Sequence, residues 1–277
     1  MEQISNYVAP LEIGDVMRCG GIARVLESKS KKFKKGDIVS GQTCWQTHPI
    51  LDAAELEKVD DESMATKYLG ALGSTGLTAY FGVTKISKPK PGDTVVITGA
   101  AGGVGSVAGQ IFKIAGCKVI GIAGGKEKCE VLTNEVGVDG TIDYKSEDID
   151  KKIKEFAPEG IDIFFDNVGG EILDFALDNL RDRARVVICG AISQYSHDKV
   201  DGPSLYLRLA EKYARMEGFT VMHFEEHYEK ASKELLDLHN QGKLKVPFHI
   251  EEGIDNFPLA LQKLFTGGNT GKLMVKV

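Results

Sequence analysis

The hexad Ala100-Ala101-Gly102-Gly103-Val104-Gly105 can hold a pyrophosphate through its backbone alone. It keeps the second and third glycines of G-x-G-x-x-G and has Ala100 at the first. The middle glycine lets the backbone come close to phosphate oxygens, and the last lets a helix pack tightly on the strand before it. That strand is the β-branched run Thr94-Val95-Val96-Ile97-Thr98, of the type buried on both faces of a parallel sheet. Beyond the hexad, Val107, Ile111, Ile114 and Ala115 recur at helical spacing and predict a helix over 105–116. Its N-terminal amides and dipole would face an anion lying over the glycines. A second strand over 118–123 completes β-α-β, so the hexad reads as a dinucleotide-binding turn rather than one that only packs.

The end of that second strand selects the dinucleotide. Sites for NAD place an Asp or Glu there, about 20 residues on, to hold the ribose 2′-hydroxyl. Here the position falls at Gly124-Gly125, and Lys126 and Lys128 follow. Positive charge suits a 2′-phosphate, and Tyr144, closing a third strand, adds a phenol donor. These residues favour NADPH over NADH. The alternative is that both lysines are solvated charges on the next helix's first turn, a reading that suits Lys126 better than Lys128.

Strands and helices keep alternating after Tyr144: a helix over 148–156, a strand over 161–166, a helix ending at Leu180 and a strand over 185–189. The loop Gly190-Ala191-Ile192-Ser193-Gln194-Tyr195 leaves the carboxyl end of that strand, the edge where doubly wound sheets bind ligands. A helix over 205–216, a strand over 219–222 and a helix over 228–241 complete the unit. Before it, residues 1–71 are β-rich, with strands expected over 20–28 and 38–41 and a third from Trp45 through Leu51. A helical stretch from Glu62 bridges to the turn Pro89-Lys90-Pro91-Gly92-Asp93. The tail, 243–277, reads as strand, helix and strand returning to the first unit. The expected division is thus 1–71, 72–242 and 243–277.

Composition excludes several function classes. The 277 residues are 42% apolar and 27% charged, with a net charge of −6, and the only dense basic run, 29–35, reads as a solvated loop. A nucleic-acid surface is not expected. Neither a membrane-spanning run nor a leader is evident, which makes the cytosol the expected location. The five cysteines, at 19, 44, 117, 129 and 189, suggest neither a disulfide framework nor a C-x-x-C metal site. His223 and His227 share i, i+4 spacing, but Phe224 stands where a zincin needs Glu, so they read as a surface-helix pair.

The segments Gly76-Leu77-Thr78-Ala79-Tyr80, 99–105, Glu127-Lys128-Cys129, Phe165-Asp166-Asn167-Val168-Gly169-Gly170, 189–195 and Gly267-Gly268-Asn269-Thr270-Gly271-Lys272 together resemble the zinc-independent medium-chain reductases. The branch is that of the prostaglandin reductases and NADPH-dependent alkenal/one double-bond reductases, and the likeness runs from about Tyr7 to the C-terminus. It implies an α/β fold: a Rossmann doubly wound parallel sheet of residues 72–242 plus a partial β-rich GroES-like catalytic domain. It implies NADPH, with Lys128 and Tyr144 at the 2′-phosphate, Asn167 along the ribose, and Phe219 and Asn269 near the nicotinamide. The implied contacts also take in Thr78, Ala101, Gly102, Gly103, Val104, Gly105 and Gly124, and Cys189, Ile192 and Ser193 ahead of Tyr195. Tyr195 itself is placed beside the nicotinamide ribose and the substrate.

The reaction implied is reduction of the carbon–carbon double bond of alkenals, enones or 15-oxo-prostaglandin-like ketones, in a homodimer paired through the expected 219–222 strand. Tyr195 is the candidate catalytic residue, a phenol placed to donate to an oxyanion; packing over the cofactor is the alternative. Two departures from the family stand out. Met17-Arg18-Cys19 replaces the Gly-His-Glu of zinc-dependent relatives, so no metal is expected. Met1 also falls where relatives already have several strands behind them. Cofactor binding with little turnover is therefore an alternative reading, and quinone reduction, which needs the same NADPH site but a flatter pocket, is another.

Overall fold

The computed structural model describes residues 11–196 and 199–277. The opening of the expected first unit, 1–10, and with it Tyr7, lies outside them. The first unit is a three-stranded antiparallel sheet of β1 (Gly20–Arg24), β2 (Ile38–Gln42) and β3 (Glu57–Val59). Phe33, Val39 and Leu56 form its small core. The chain then crosses through α1 (Ala65–Leu69) and α2 (Ser74–Phe81).

A six-stranded parallel sheet follows. Its strands are β4 (Thr94–Thr98), β5 (Lys118–Ala123), β6 (Gly140–Asp143), β7 (Ile161–Asp166), β8 (Leu180–Ile188) and β9 (Arg215–Gly218), in the order β6-β5-β4-β7-β8-β9. Crossovers run through α3 (Gly103–Ile114), α4 (Lys126–Val131), α5 (Ile149–Phe156), α6 (Glu171–Asp178) and the single turn α7 (Arg208–Glu211). Successive strand residues point to opposite faces, and both faces are apolar here. Val95 and Ile97 of β4 enter one core with Phe165 and Phe112, while Val96 enters the other with Ile120 and Phe164. Burial on both sides is why these strands read as continuous apolar runs.

After β9 the chain forms α8 (Tyr228–Asn240), β10 (Phe248–Glu252), α9 (Phe257–Thr266) and β11 (Lys272–Lys276). Strands β10 and β11 pair in parallel with each other. The tail meets the first unit where Trp45 stacks on Phe257, ring centroids 4.7 Å apart. Among the described residues no helix is long and apolar enough to cross a membrane.

Four expectations about elements are corrected. No strand runs from Trp45 to Leu51; the third strand of the first sheet is Glu57–Val59. Cys44 turns the chain at φ 56°, and Trp45 leaves the ladder for Phe257. No helix spans 205–216 either. Tyr213 adopts φ 50°, which ends the α7 turn, and Ala214 and Met216 then pack on the sheet core in an extended chain. The edge strand is therefore Arg215–Gly218 rather than 219–222, and any pairing of sheets across that edge would use those residues. Finally, His223 and His227 lie on a kinked stretch of tight helical turns, Val221–His227, rather than on a regular helix.

Candidate active site

A cavity of about 440 Å3 opens at the carboxyl end of the parallel sheet, bounded by the glycine turn, β5, the loops after β7 and β8, and the end of α9. Of the residues singled out by sequence, Ala101, Gly102, Val104, Gly105, Gly124, Lys128, Tyr144, Asn167, Ile192, Ser193 and Asn269 line it. Thr78, Gly103, Cys189, Tyr195 and Phe219 do not.

The glycine turn is shaped by sterics within a few residues. A Cβ on Gly105 would stand 2.4 Å from the carbonyl oxygen of Gly99 and 2.7 Å from Ala100 Cα, so only glycine lets α3 start this close to β4. Gly103 lies behind the turn, close to Thr75 and Lys272. The N-terminus of α3 points at the cavity with no side-chain cap. Unsatisfied amides and the positive end of the dipole together make an anion site.

At the opposite corner, Gly124 ends β5 and Tyr144 follows β6. A Cβ on Gly124 would stand 2.7 Å from Tyr144 Cζ and 2.8 Å from its Oη, so the ring lies where a side chain would be. The missing acid and the tyrosine are thus one feature. Lys128, on α4, donates from Nζ to the carbonyl oxygen of Gly267 at 2.8 Å. Burial, and then the like charge of Lys145, hold its pKa below the ordinary lysine value.

A buried carboxylate organises the middle of the site. Asp166 is fully buried at the end of β7 and accepts from Thr98 Oγ1 at 2.7 Å, Val168 N at 3.0 Å and Gly169 N at 3.0 Å. Thr98 Oγ1 in turn accepts Asn167 N at 2.8 Å, and Asn167 Nδ2 donates to Thr98 O at 2.7 Å. Ser193 Oγ donates to Val168 O at 2.6 Å, tying the loop after β8 to the same turn. Burial raises the Asp166 carboxyl against these hydrogen bonds, which favour its charged form. Thr98→Val keeps the shape and deletes the hydroxyl, leaving Asp166 short of one donor and Asn167 N–H short of its acceptor. The expected cost is about 1–3 kcal/mol, read as a lowered thermal midpoint; an unchanged midpoint would show that the network adds nothing to stability.

The remaining candidates sit around this frame. Desolvation, with Asp166 adding to it, pushes the Cys189 thiol up to about 12, which leaves it a neutral packing group at neutral pH. Thr78 Oγ1 donates within α2, to Ser74 O. Phe219 is buried in the core against Gly82 and Phe224. Tyr195 is 39% exposed, and its oxygen accepts Ala191 N–H at 3.0 Å, close over Gly190. Asn269 lies between Gly267, at the Lys128 corner, and Gly271, whose N–H bonds the Ala101 carbonyl of the glycine turn.

Sequence reasoning missed Leu264, Phe265 and Gly267, which close the cavity from the tail. The signal available was the Gly267-Gly268-Asn269 run ending an amphipathic helix. Nothing in its spacing pointed to a lysine 139 residues earlier. Among the described residues no group of three or more His, Cys, Asp or Glu is placed to hold a metal ion.

Residues 103–237 match the family described as zinc-binding dehydrogenase, and residues 1–59 match the N-terminal domain of oxidoreductase. The chain is 41% identical to prostaglandin reductase 1 of Bos taurus over 96% of its own length and 83% of that protein's. It is 38% identical to the NADP(+)-dependent 2-alkenal reductase of Nicotiana tabacum, over 98% of this chain and 80% of the relative. The crystal structure of CurA from Vibrio vulnificus in complex with NADPH superposes with a TM-score of 0.92 at 36% identity, covering 99% of this chain and 83% of that one. These likenesses extend over both the first sheet and the parallel sheet, and the chain belongs to the zinc-independent medium-chain reductases, in the branch of the prostaglandin reductases and alkenal/one double-bond reductases.

Proposed function

We propose that this oxidoreductase uses NADPH to reduce the carbon–carbon double bond of α,β-unsaturated aldehydes and ketones. The observation that carries the cofactor is the cavity corner lined by Gly124, Lys128 and Tyr144, with a cation and a phenol in place of an acid. The substrate class is supported by the 2-alkenal and prostaglandin reductases that the chain resembles over most of its length. The cavity fits the dinucleotide: the α3 amides suit the pyrophosphate, Lys128 and Tyr144 the 2′-phosphate, and Asn167 the ribose. When bound, the nicotinamide supplies a hydride for the substrate's β-carbon.

The protein's own task is to hold the substrate carbonyl and stabilise the negative charge that develops on its oxygen, after which the α-carbon takes a proton from solvent water. Tyr195 is the donor in this reading. Its oxygen already accepts the Ala191 N–H, which polarises the phenol to donate its own hydrogen more strongly. Donors preset toward developing charge contribute more to the transition state than to the bound substrate.

Lys128→Ala tests the cofactor assignment. A hydrogen bond to a charged group contributes about 1.5–3 kcal/mol, so NADPH should bind roughly tenfold or more weakly and NADH almost unchanged. Because the Lys128 pKa is lowered, the ammonium is lost earlier than in an ordinary lysine as pH rises. Preference for NADPH should fade at correspondingly lower pH. Fluorescence titration with both cofactors checks this, and equal weakening of the two would refute it. Steady NADPH oxidation with an enone but not a quinone is the expected turnover; activity with quinones alone would replace the substrate assignment.

A further inference from the structure

The turn after α9 forms one side of the corner where Lys128 and Tyr144 meet. Gly267 caps α9 in the left-handed conformation, at φ 67°, which points its carbonyl at Lys128 Nζ. A Cβ on Gly267 would stand 3.6 Å from Tyr144 Oη and 3.7 Å from Lys128 Nζ, between the two donors.

The turn is anchored on each side. Gly268 lies against Lys263, whose ammonium pairs with Glu251 of β10, and Glu251 also bonds His249 Nε2 at 2.6 Å. Asn269 Nδ2 donates to Gly271 O at 3.0 Å, and Gly271 N donates to Ala101 O at 2.7 Å. Gly267 is therefore a fixed point of the cavity wall, held between the tail's ion pairs and the glycine turn.

We propose that the Gly267 turn is the third side of the 2′-phosphate pocket and a determinant of its selectivity. The Gly267 carbonyl holds the Lys128 ammonium in place, and the bare Cα leaves room for a phosphate between Lys128 and Tyr144. This rests on the NADPH reading above. An ammonium has three donors, so Lys128 can keep its bond to Gly267 and still serve the phosphate. A side chain at Gly267 would project between the two donors and crowd the phosphate, while a nucleotide lacking the 2′-phosphate would not reach that corner. The tail would thus take part in choosing the cofactor, although it lies outside the strands and helices that build the dinucleotide fold.

The test uses the full chain with adenosine 2′,5′-bisphosphate and 5′-AMP as probes in calorimetric titrations. Gly267→Asn is the main variant, because Asn tolerates the left-handed conformation; Gly267→Ala adds the smallest side chain. Both should weaken the bisphosphate by roughly tenfold or more and leave 5′-AMP about unchanged. Equal losses for both nucleotides, or no loss for either, would overturn the proposal. Lys128→Ala in the same series separates the two readings. If it weakens the bisphosphate and the Gly267 variants do not, only the role of the turn fails; if it leaves the bisphosphate untouched, the assignment of the phosphate corner fails first. Hydrogen exchange on the unaltered protein gives an answer that needs no variant. The bisphosphate should slow exchange over 265–269 and 5′-AMP should not, and identical exchange with both would likewise reject the role of the turn.

Discussion

Tyr195→Phe is expected to lower enone turnover by roughly 100-fold or more, the usual loss for one oxyanion donor, while NADPH binds as before. The substitution keeps the ring and deletes only the hydroxyl, the atom that lies over Gly190. The Ala191 N–H that bonds this oxygen is exposed, so water can replace the lost acceptor and the fold should be little affected. Nearby Ile192 and Ser193 line the cavity and remain anchored through Ser193 to Val168. Cofactor affinity and thermal midpoint therefore serve as internal controls. Single-turnover mixing of the NADPH complex with an enone measures the hydride-transfer step directly. A rate equal to the parent's in that experiment would leave Tyr195 as a packing residue.

Gly124→Asp should be the most damaging single change to cofactor choice. The new Cβ would stand 2.7–2.8 Å from Tyr144 Cζ, Cε1 and Oη, so the ring must leave the corner. The carboxylate would then face the 2′-phosphate as a like charge and compete for Lys128. Like-charge juxtaposition costs several kcal/mol, so NADPH affinity should fall by roughly 100-fold or more. NADH should lose little, because an acid at this position can accept the ribose 2′-hydroxyl. Gly124→Ala separates the two causes, since it displaces the ring without adding charge. Titration of each variant with both cofactors decides the matter; a parallel loss of NADPH and NADH in Gly124→Asp would mean that the corner does not read the 2′-phosphate.

The readings that survived and those that did not differ in the range of the interactions behind them. The run from β4 through α3 to β5 was legible because its determinants are local: β-branched residues for a strand buried on two faces, glycines where the backbones touch, helical spacing afterwards. The lack of an acid at Gly124 was legible too. Its cause was not, because the Tyr144 ring that fills the space arrives from the next strand. The four-residue edge strand at 215–218 was hidden by an apolar stretch that also suits a helix. Tyr213 at φ 50° and packing on the sheet settled that ambiguity in favour of a strand.

By itself, then, the sequence determined a doubly wound parallel sheet and a glycine turn, with a lysine and a tyrosine following its second and third strands. Each follows from steric and periodic rules acting within some 20–50 residues. Only the tertiary structure decided what closes the cavity. Lys128 bonds a carbonyl 139 residues away, and Trp45 leaves its expected strand to stack on Phe257 of the tail. The physical reason is that side-chain periodicity reports which face of an element is buried, not which distant element covers it. The partner is chosen by packing and by the pairing of polar groups once the sheet has formed.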